Sequence, residues 1–495
     1  MNFILFFPDE MRASSVSCYG NMTVKMPNFD RLADEGTRFD QCIVQNPVCT
    51  PSRCSLMTGW YVHNMGHRSL WHNLRTHEPS LFRYLKQAGY DIAWYGKNDL
   101  YSQEYLDEIL DDIGEKRGGY KSEPSRPYVK PGRHSKKFEP GEIGYLSFLM
   151  NPTPSDGDEF LDVHTARALD FLESRKDDDK PFMLYLPIAM PHPPYCAVER
   201  YHTMYKPEEV SGEVIKPGLT TGKPAYEELI RQSRDLDKAD ESLFDEIRAV
   251  YLGMNSCVDA MLGEILDTLD RTGLAENTTV IVCSDHGDWA GDYGLVEKWS
   301  NAMDDKLVRV PLIIKSPGHK QSHTVREQVE MFDIMPTVLA LAGIEAHHAH
   351  FAQSLVPQLD GAAGDPDRAA FCEGGYDRHE KTASEWYSEG SWAKGIRTPG
   401  TLYYPKVRLQ HDHPDSICRA AMIRTLTHKL TVRSNGENEL YDLLNDPDEL
   451  HNRYDSPDLA VVRTSLEKQM LEWYIKTSDV VPTDYDSRGF HVPVE

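Results

Sequence analysis

No run of apolar residues in this chain approaches the ~18–20 needed to cross a bilayer, which argues against a membrane-spanning role. Positive charge is also scarce. The 53 Lys and Arg stand against 78 Asp and Glu, a formal net charge of −25. Nucleic acid and anionic membrane are therefore not expected as general partners. Cysteine pattern is lacking too. Nine Cys stand at 18, 42, 49, 54, 196, 257, 283, 372 and 418, an odd number without zinc-knuckle or disulfide-framework spacing. Reduced thiols in a cytosolic protein are the simplest reading. No internal repeat is visible. The start, Met1-Asn2-Phe3-Ile4-Leu5-Phe6-Phe7-Pro8-Asp9, has neither a basic n-region nor a small-residue cleavage site. A cytoplasmic protein is expected, a leader removed from a longer precursor being a separate case.

What is present is a globular composition. With 495 residues and 40% hydrophobic content the chain can bury a large core, and its length is consistent with roughly two to four domains. Short apolar runs predict strands at Asn2–Phe7, Asp91–Tyr95, Phe182–Ile188, Thr278–Cys283 and Val310–Lys315. Several are continuously apolar, as strands covered on both faces are. Helical spacing runs from Ile247 to Leu269 with Gly273 as a stop, and further helices are predicted from Pro27 and over Asp333–Ala342. This alternation implies an α/β fold: a mostly parallel central sheet flanked by helices. The tail differs. Ala420–Thr425, His428–Arg433 and Glu439–Leu443, with a turn at Ser434-Asn435-Gly436-Glu437, predict a small antiparallel sheet, and a helix follows near Leu459–Lys476. The expected division is 1–375 for a large domain and 376–495 for a small α+β subdomain. Gln103–Pro154 and Gly375–Ser416 read as long loops, the second facing substrate.

The segment Cys49-Thr50-Pro51-Ser52-Arg53-Cys54-Ser55-Leu56-Met57-Thr58-Gly59 is the strongest signal. Pro51 has no amide hydrogen and a fixed φ, so it suits a first helical turn. Cys49 then falls just before a helix N-terminus, where free N–H groups favour an anion. Arg53, one turn on, projects to the same end. Other chemistry-bearing residues follow predicted strands, where open α/β sheets bind ligands. Asp9 and Glu10 follow the first strand; adjacent carboxylates repel unless a cation is near. Ser284-Asp285-His286-Gly287 follows Thr278–Cys283, Lys97 and Asp99 follow Asp91–Tyr95, and His192 follows Phe182–Ile188.

The Cys49 segment resembles the signature of the formylglycine-dependent sulfatases, within the alkaline-phosphatase-like superfamily. The resemblance extends in order from Asn2 to about Asp455. It implies that Cys49 is oxidised to formylglycine, whose hydrated aldehyde is the nucleophile. It implies a divalent-cation site formed by Asp9, Glu10, the modified Cys49, Asp285 and His286. Oxygen-rich ligation favours Ca²⁺, with Mg²⁺ or Mn²⁺ as alternatives. Arg53, Lys97 and Lys298 would neutralise the sulfate, and His192 would protonate the leaving oxygen. Glu10 replaces the family's second Asp. Asp99 replaces a His close to the nucleophile, so it is expected either as a base or as a group that binds the alcohol portion. The implied activity is hydrolysis of a small-molecule or carbohydrate sulfate ester, with phosphonate monoesters or phosphodiesters as the alternative and a non-catalytic anion-binding protein as the remote one. A formylglycine-generating enzyme or maturase is an implied partner, and a homo-oligomer is compatible. His63, His67, Arg68 and His72 read as a solvated loop or, less favoured, as pocket wall.

Overall fold

The computed structural model describes residues 1–113, 123–130, 134–155 and 157–482. Among the described residues twelve strands form two sheets. In chain order they are β1 Asn2–Phe6, β2 Thr37–Ile43, β3 Asp91–Trp94, β4 Asp112–Ile113, β5 Phe182–Leu186, β6 Thr278–Cys283, β7 Arg309–Lys315, β8 His323–Glu330, β9 Ala370–Gly374, β10 Ala420–Arg424, β11 His428–Arg433 and β12 Glu439–Asp442. The large sheet has eight strands in the order β4-β3-β5-β1-β6-β7-β2-β8. Every neighbouring pair is parallel except the two made by β7, which runs against both β6 and β2. The expected mostly parallel sheet is thus observed.

The continuous apolar runs have the cause expected of them. Successive side chains of a strand point to opposite faces. In β1, Phe3 and Leu5 enter one core while Ile4 and Phe6 enter the other. In β6, Ile281 and Cys283 go one way and Val280 and Val282 the other. Helices cover both faces. The buried apolar side chains of the Glu241–Thr272 helix all enter the second core, and Gly273 ends it in the left-handed conformation at φ 74°. The helix of Pro27–Glu35 has proline in its first turn, and Asp259 of the long helix accepts from the N–H groups of Asn28 and Phe29.

The second sheet is antiparallel, in the order β12-β11-β10-β9. Gly436, at φ 88°, turns the chain between β11 and β12, as the Asn-Gly pair predicted. The helix Ala460–Thr477 packs Leu466, Met470 and Trp473 on this sheet. A buried ion-pair group joins the sheets: Arg424 of β10 and Lys429 of β11 contact Asp305 at 2.7 and 3.1 Å.

Two expectations need correction. Gln103–Pro154 is not wholly loop, since it holds a helix at Gln103–Ile109 and β4; its residues 114–122 and 131–133 lie outside the described residues. Gly375–Ser416 likewise carries helices at Ser391–Ile396 and Tyr404–Asp412. Aromatic and glycine-rich composition hid their short apolar faces. Strands β2 and β8 were also missed. Both mix buried with half-buried or exposed residues, carry several polar side chains and lack an apolar run.

Candidate active site

The carboxyl ends of β1, β3, β5 and β6 converge. Beyond β1, pairing with the β5 chain continues through Phe7 N–H to Leu186 O and Asp9 N–H to Ile188 O. That brings Asp9 beside the turn carrying His192. Beyond β3, Gly96 stands at φ 140°, and a Cβ there would lie 2.1 Å from the Pro187 carbonyl. Only glycine fits this approach, and it fixes Lys97, whose N–H donates to Pro187 O at 2.9 Å. Beyond β6, Asp285 and His286 follow at once.

The helix Cys49–Thr58 enters from the side and is buried along its whole length. Cys49 is its first residue rather than the one before it, with Val48 as the extended cap. Pro51 lies in the first turn, as expected. Arg53 is fully buried and ties the site together. Its Nη2 lies 2.7 Å from Asp9 Oδ2 and 2.9 Å from Asp285 Oδ2, and its Nη1 donates to the Tyr185 hydroxyl at 3.1 Å. A planar guanidinium can serve several fixed acceptors at once, which an ammonium cannot do in this geometry.

Around Cys49 Sγ stand His286 Nε2 at 3.2 Å, Lys97 Nζ at 3.6 Å and Asp9 Oδ1 at 3.7 Å. Asp9, Cys49, Asp285 and His286 offer four buried ligand atoms within 4.8 Å of one another. Their chemistry fits a divalent cation. Burial lowers the His286 pKa to about 4 despite Asp285, so its imidazole is neutral at pH 7. Its Nδ1 faces the Gly287 carbonyl at 2.9 Å, which leaves the Nε2 lone pair toward the other three. Burial alone would raise the Asp9 pKa, yet Lys97 and Arg53 hold it well below the usual range, so this oxygen donor stays ionised. As a thiol Cys49 is a poor nucleophile here. Burial, then the Asp9 carboxylate, push its pKa well up against Lys298 and Lys97.

Glu10 does not join that group of four. It stands at φ 71°, and its carboxylate turns the other way, to Lys298 Nζ at 2.9 Å and His192 Nε2 at 3.3 Å. Asp9, Glu10 and His192 form a second close set, but the Lys298 ammonium, 3.0 Å from His192 Nε2, already sits against two of them. Burial pushes the Glu10 pKa well above its ordinary value, against the pull of the Lys298 ammonium. His192 Nδ1 faces its neighbour's carbonyl, Pro193 O, at 2.6 Å. Burial, then Lys298 and Lys97, hold its pKa well below the ordinary value. The imidazole is therefore neutral, and Lys298 donates to it. Asp99 pairs with Lys97 at 2.8 Å, the counter-charge its place beside an anion site requires.

Cys49, Lys97, Asp99, His192 and Lys298 all line one cavity of about 340 Å³. His63, His67 and Arg68 do not. His63 and Arg68 hold Glu373, and His67 holds Glu78. They are half-buried or buried fold contacts rather than a solvated loop. The sequence reading missed the rest of the wall, which includes Trp71, Glu297, Glu385, Trp392, Tyr403 and Lys406. The aromatic richness of Gly375–Ser416 was the available signal; which of its residues turn inward depends on helices too short to show periodicity.

Comparison with known proteins agrees with this geometry. The family model described as Sulfatase matches residues 1–344. A protein of Escherichia coli K12 named as an uncharacterized sulfatase is 28% identical over 97% of this chain and 88% of its own. A multifunctional alkaline phosphatase superfamily protein of Trinickia caryophylli is 28% identical over 97% and 95%. An N-acetylglucosamine-6-O-sulfatase of Bacteroides thetaiotaomicron is 25% identical over 95% and 85%. Among solved structures, a phosphonate monoester hydrolase of Agrobacterium radiobacter superposes with a TM-score of 0.73, at 23% identity and 96% coverage of both chains. With the family model covering more than half the chain and the Cys49 helix, strand-end residues and fold in agreement, this protein is an enzyme of the sulfatase family.

Proposed function

We propose that this enzyme hydrolyses a sulfate monoester, with Cys49 converted to formylglycine as the source of the attacking hydroxyl. The observation that carries the reading is the convergence of Cys49, Arg53, Asp9, Asp285 and His286 with Lys97 and Lys298 around one cavity. Asp9, Asp285, His286 and the modified Cys49 would hold one divalent cation, Ca²⁺ by the prevalence of oxygen donors, with Mg²⁺ or Mn²⁺ as alternatives. When bound, it supplies Lewis-acid stabilisation of negative charge. Lys97 and Lys298 bind the sulfuryl oxygens, and Arg53 orients the carboxylates on either side of residue 49. Preorganised cations in a buried site act strongly because they need not reorganise. His192 and Lys298 act as a unit toward the leaving oxygen. The imidazole is neutral and one hydrogen bond from a lysine that holds the proton. The alcohol portion is a small molecule or carbohydrate, as the name of the Bacteroides relative indicates for that protein. A formylglycine-generating enzyme or maturase is required as a partner.

A second reading, hydrolysis of phosphonate monoesters or phosphodiesters, is favoured by one feature, the His286 nitrogen among the four donors. The two readings separate on matched aryl esters. The sulfate reading expects a higher kcat/KM on 4-nitrophenyl sulfate than on the corresponding phenylphosphonate, and loss of both on Cys49→Ala. A preference for the phosphonate would reverse the assignment. Activity of Cys49→Ala within about tenfold of wild type, roughly 1.4 kcal/mol of barrier, would remove the mechanism.

A further inference from the structure

Resting on the sulfatase reading, we infer that the alcohol portion of the substrate carries a cationic nitrogen, held by the Glu385 carboxylate beside the indoles of Trp71 and Trp392. All three line the cavity that holds Cys49. The cations of its wall are already matched. Lys97 contacts Asp9 and Asp99, Lys298 contacts Glu10 and Glu297, and Lys406 contacts Glu297 at 3.0 Å. Glu385 is different. It is only 7% exposed, yet among the described residues no cation lies within ion-pair distance of its carboxylate. Its neighbour Gln410 is neutral, and the Nε2 of that side chain is buried without a hydrogen-bond partner. A buried carboxylate without a counter-ion is costly unless something brings one.

The indoles supply the second half of the argument. Their ring centroids are 5.2 Å apart with planes inclined at 60°. Trp392 is 49% exposed, so it borders the opening. Electron-rich aromatic faces beside an unpaired carboxylate attract a cation, and each favours it over a neutral group. Lys97 stands beside Cys49, where the sulfate reacts, and Glu385 and the indoles on the same cavity wall would receive the alcohol. A zwitterion fits that arrangement, and the strongly acidic protein as a whole favours its approach over that of a second anion. Burial raises the Glu385 pKa, Lys406 opposing and Glu297 adding to it; an arriving ammonium would lower it again.

The test uses the whole enzyme and two matched pairs: 2-aminoethyl sulfate against propyl sulfate, and glucosamine 6-sulfate against N-acetylglucosamine 6-sulfate. Each is measured as substrate and as competitor of 4-nitrophenyl sulfate turnover. The amine should be favoured by at least about tenfold in one pair, and Glu385→Gln should bring that ratio to within about twofold of unity. Trp392→Leu should reduce the same ratio. No preference for either amine, or a preference that survives Glu385→Gln, overturns the inference. A wild-type enzyme inert toward every sulfate, the aryl ester included, would instead overturn the sulfatase reading itself.

Discussion

At the scale of single residues, the site depends on charges that are legible in order but not in direction. Asp9, Cys49, Lys97, His192, Asp285 and His286 could be picked from the sequence because each stands just past a strand or at a helix start, and Lys298 through the family resemblance alone. Glu10 shows the limit. Nothing in an Asp-Glu pair says that the second carboxylate turns to Lys298 and His192 rather than to the other donors. Asp285→Asn should weaken the cation site while leaving the fold intact, because Asn keeps the shape and one oxygen. Metal content after dialysis should fall well below that of wild type, and chelation of wild type should abolish turnover. Full activity in a metal-free preparation would contradict the assignment. Asp99 raises a separate question. Its carboxylate pairs with Lys97 at 2.8 Å and faces the cavity. As a group that binds the alcohol portion, Asp99→Asn should impair the natural substrate far more than a plain aryl sulfate. As a base in sulfate release it should slow kcat on all substrates alike. The ion pair with Lys97 already engages this carboxylate, which favours the first outcome. Unchanged kinetics on every substrate would dismiss both roles.

At the scale of elements, strand positions were readable where both faces are buried, as in β1, β5 and β6, because the whole run is then apolar. They were not readable in β2 and β8, whose interspersed polar residues leave no continuous apolar run. The long helix Glu241–Thr272 was readable from its spacing, but the need for glycine at 253 was not. Gly253 lies where a Cβ would meet the Tyr201 carbonyl at 2.0 Å. Gly253→Ala poses two effects of opposite sign. Helix propensity gains about 1 kcal/mol, while overpacking against fixed backbone costs about 1–3 kcal/mol. The second should win, so thermal unfolding should move to lower temperature. A rise in Tm would show that the Glu199–His202 segment yields to make room.

At the scale of the molecule, the small sheet is tied to the segment before β7 by charges that no local pattern reveals, since Asp305 lies 119 residues from Arg424 and 124 from Lys429. Arg424, then Lys429, hold the Asp305 carboxyl well below its ordinary range against the opposing effect of burial. A depressed pKa contributes stability that is fully present above the unfolded value near 4 and is lost as pH falls below it. Asp305→Asn should therefore cost about 3 kcal/mol at pH 7, as loss of one partner of a buried ion pair does. It should also cost progressively less below pH 4. Urea midpoints at pH 7 and pH 3 check both parts, and an equal loss at the two values would contradict the linkage. The central claim, that residue 49 acts as formylglycine, is tested most directly by the mass of the tryptic peptide Phe39–Arg53 from enzyme that turns over an aryl sulfate. A peptide about 18 Da lighter than the cysteine form is the predicted result, the loss expected when the thiol carbon is oxidised to an aldehyde. A fully active preparation in which that peptide is entirely the thiol would contradict it.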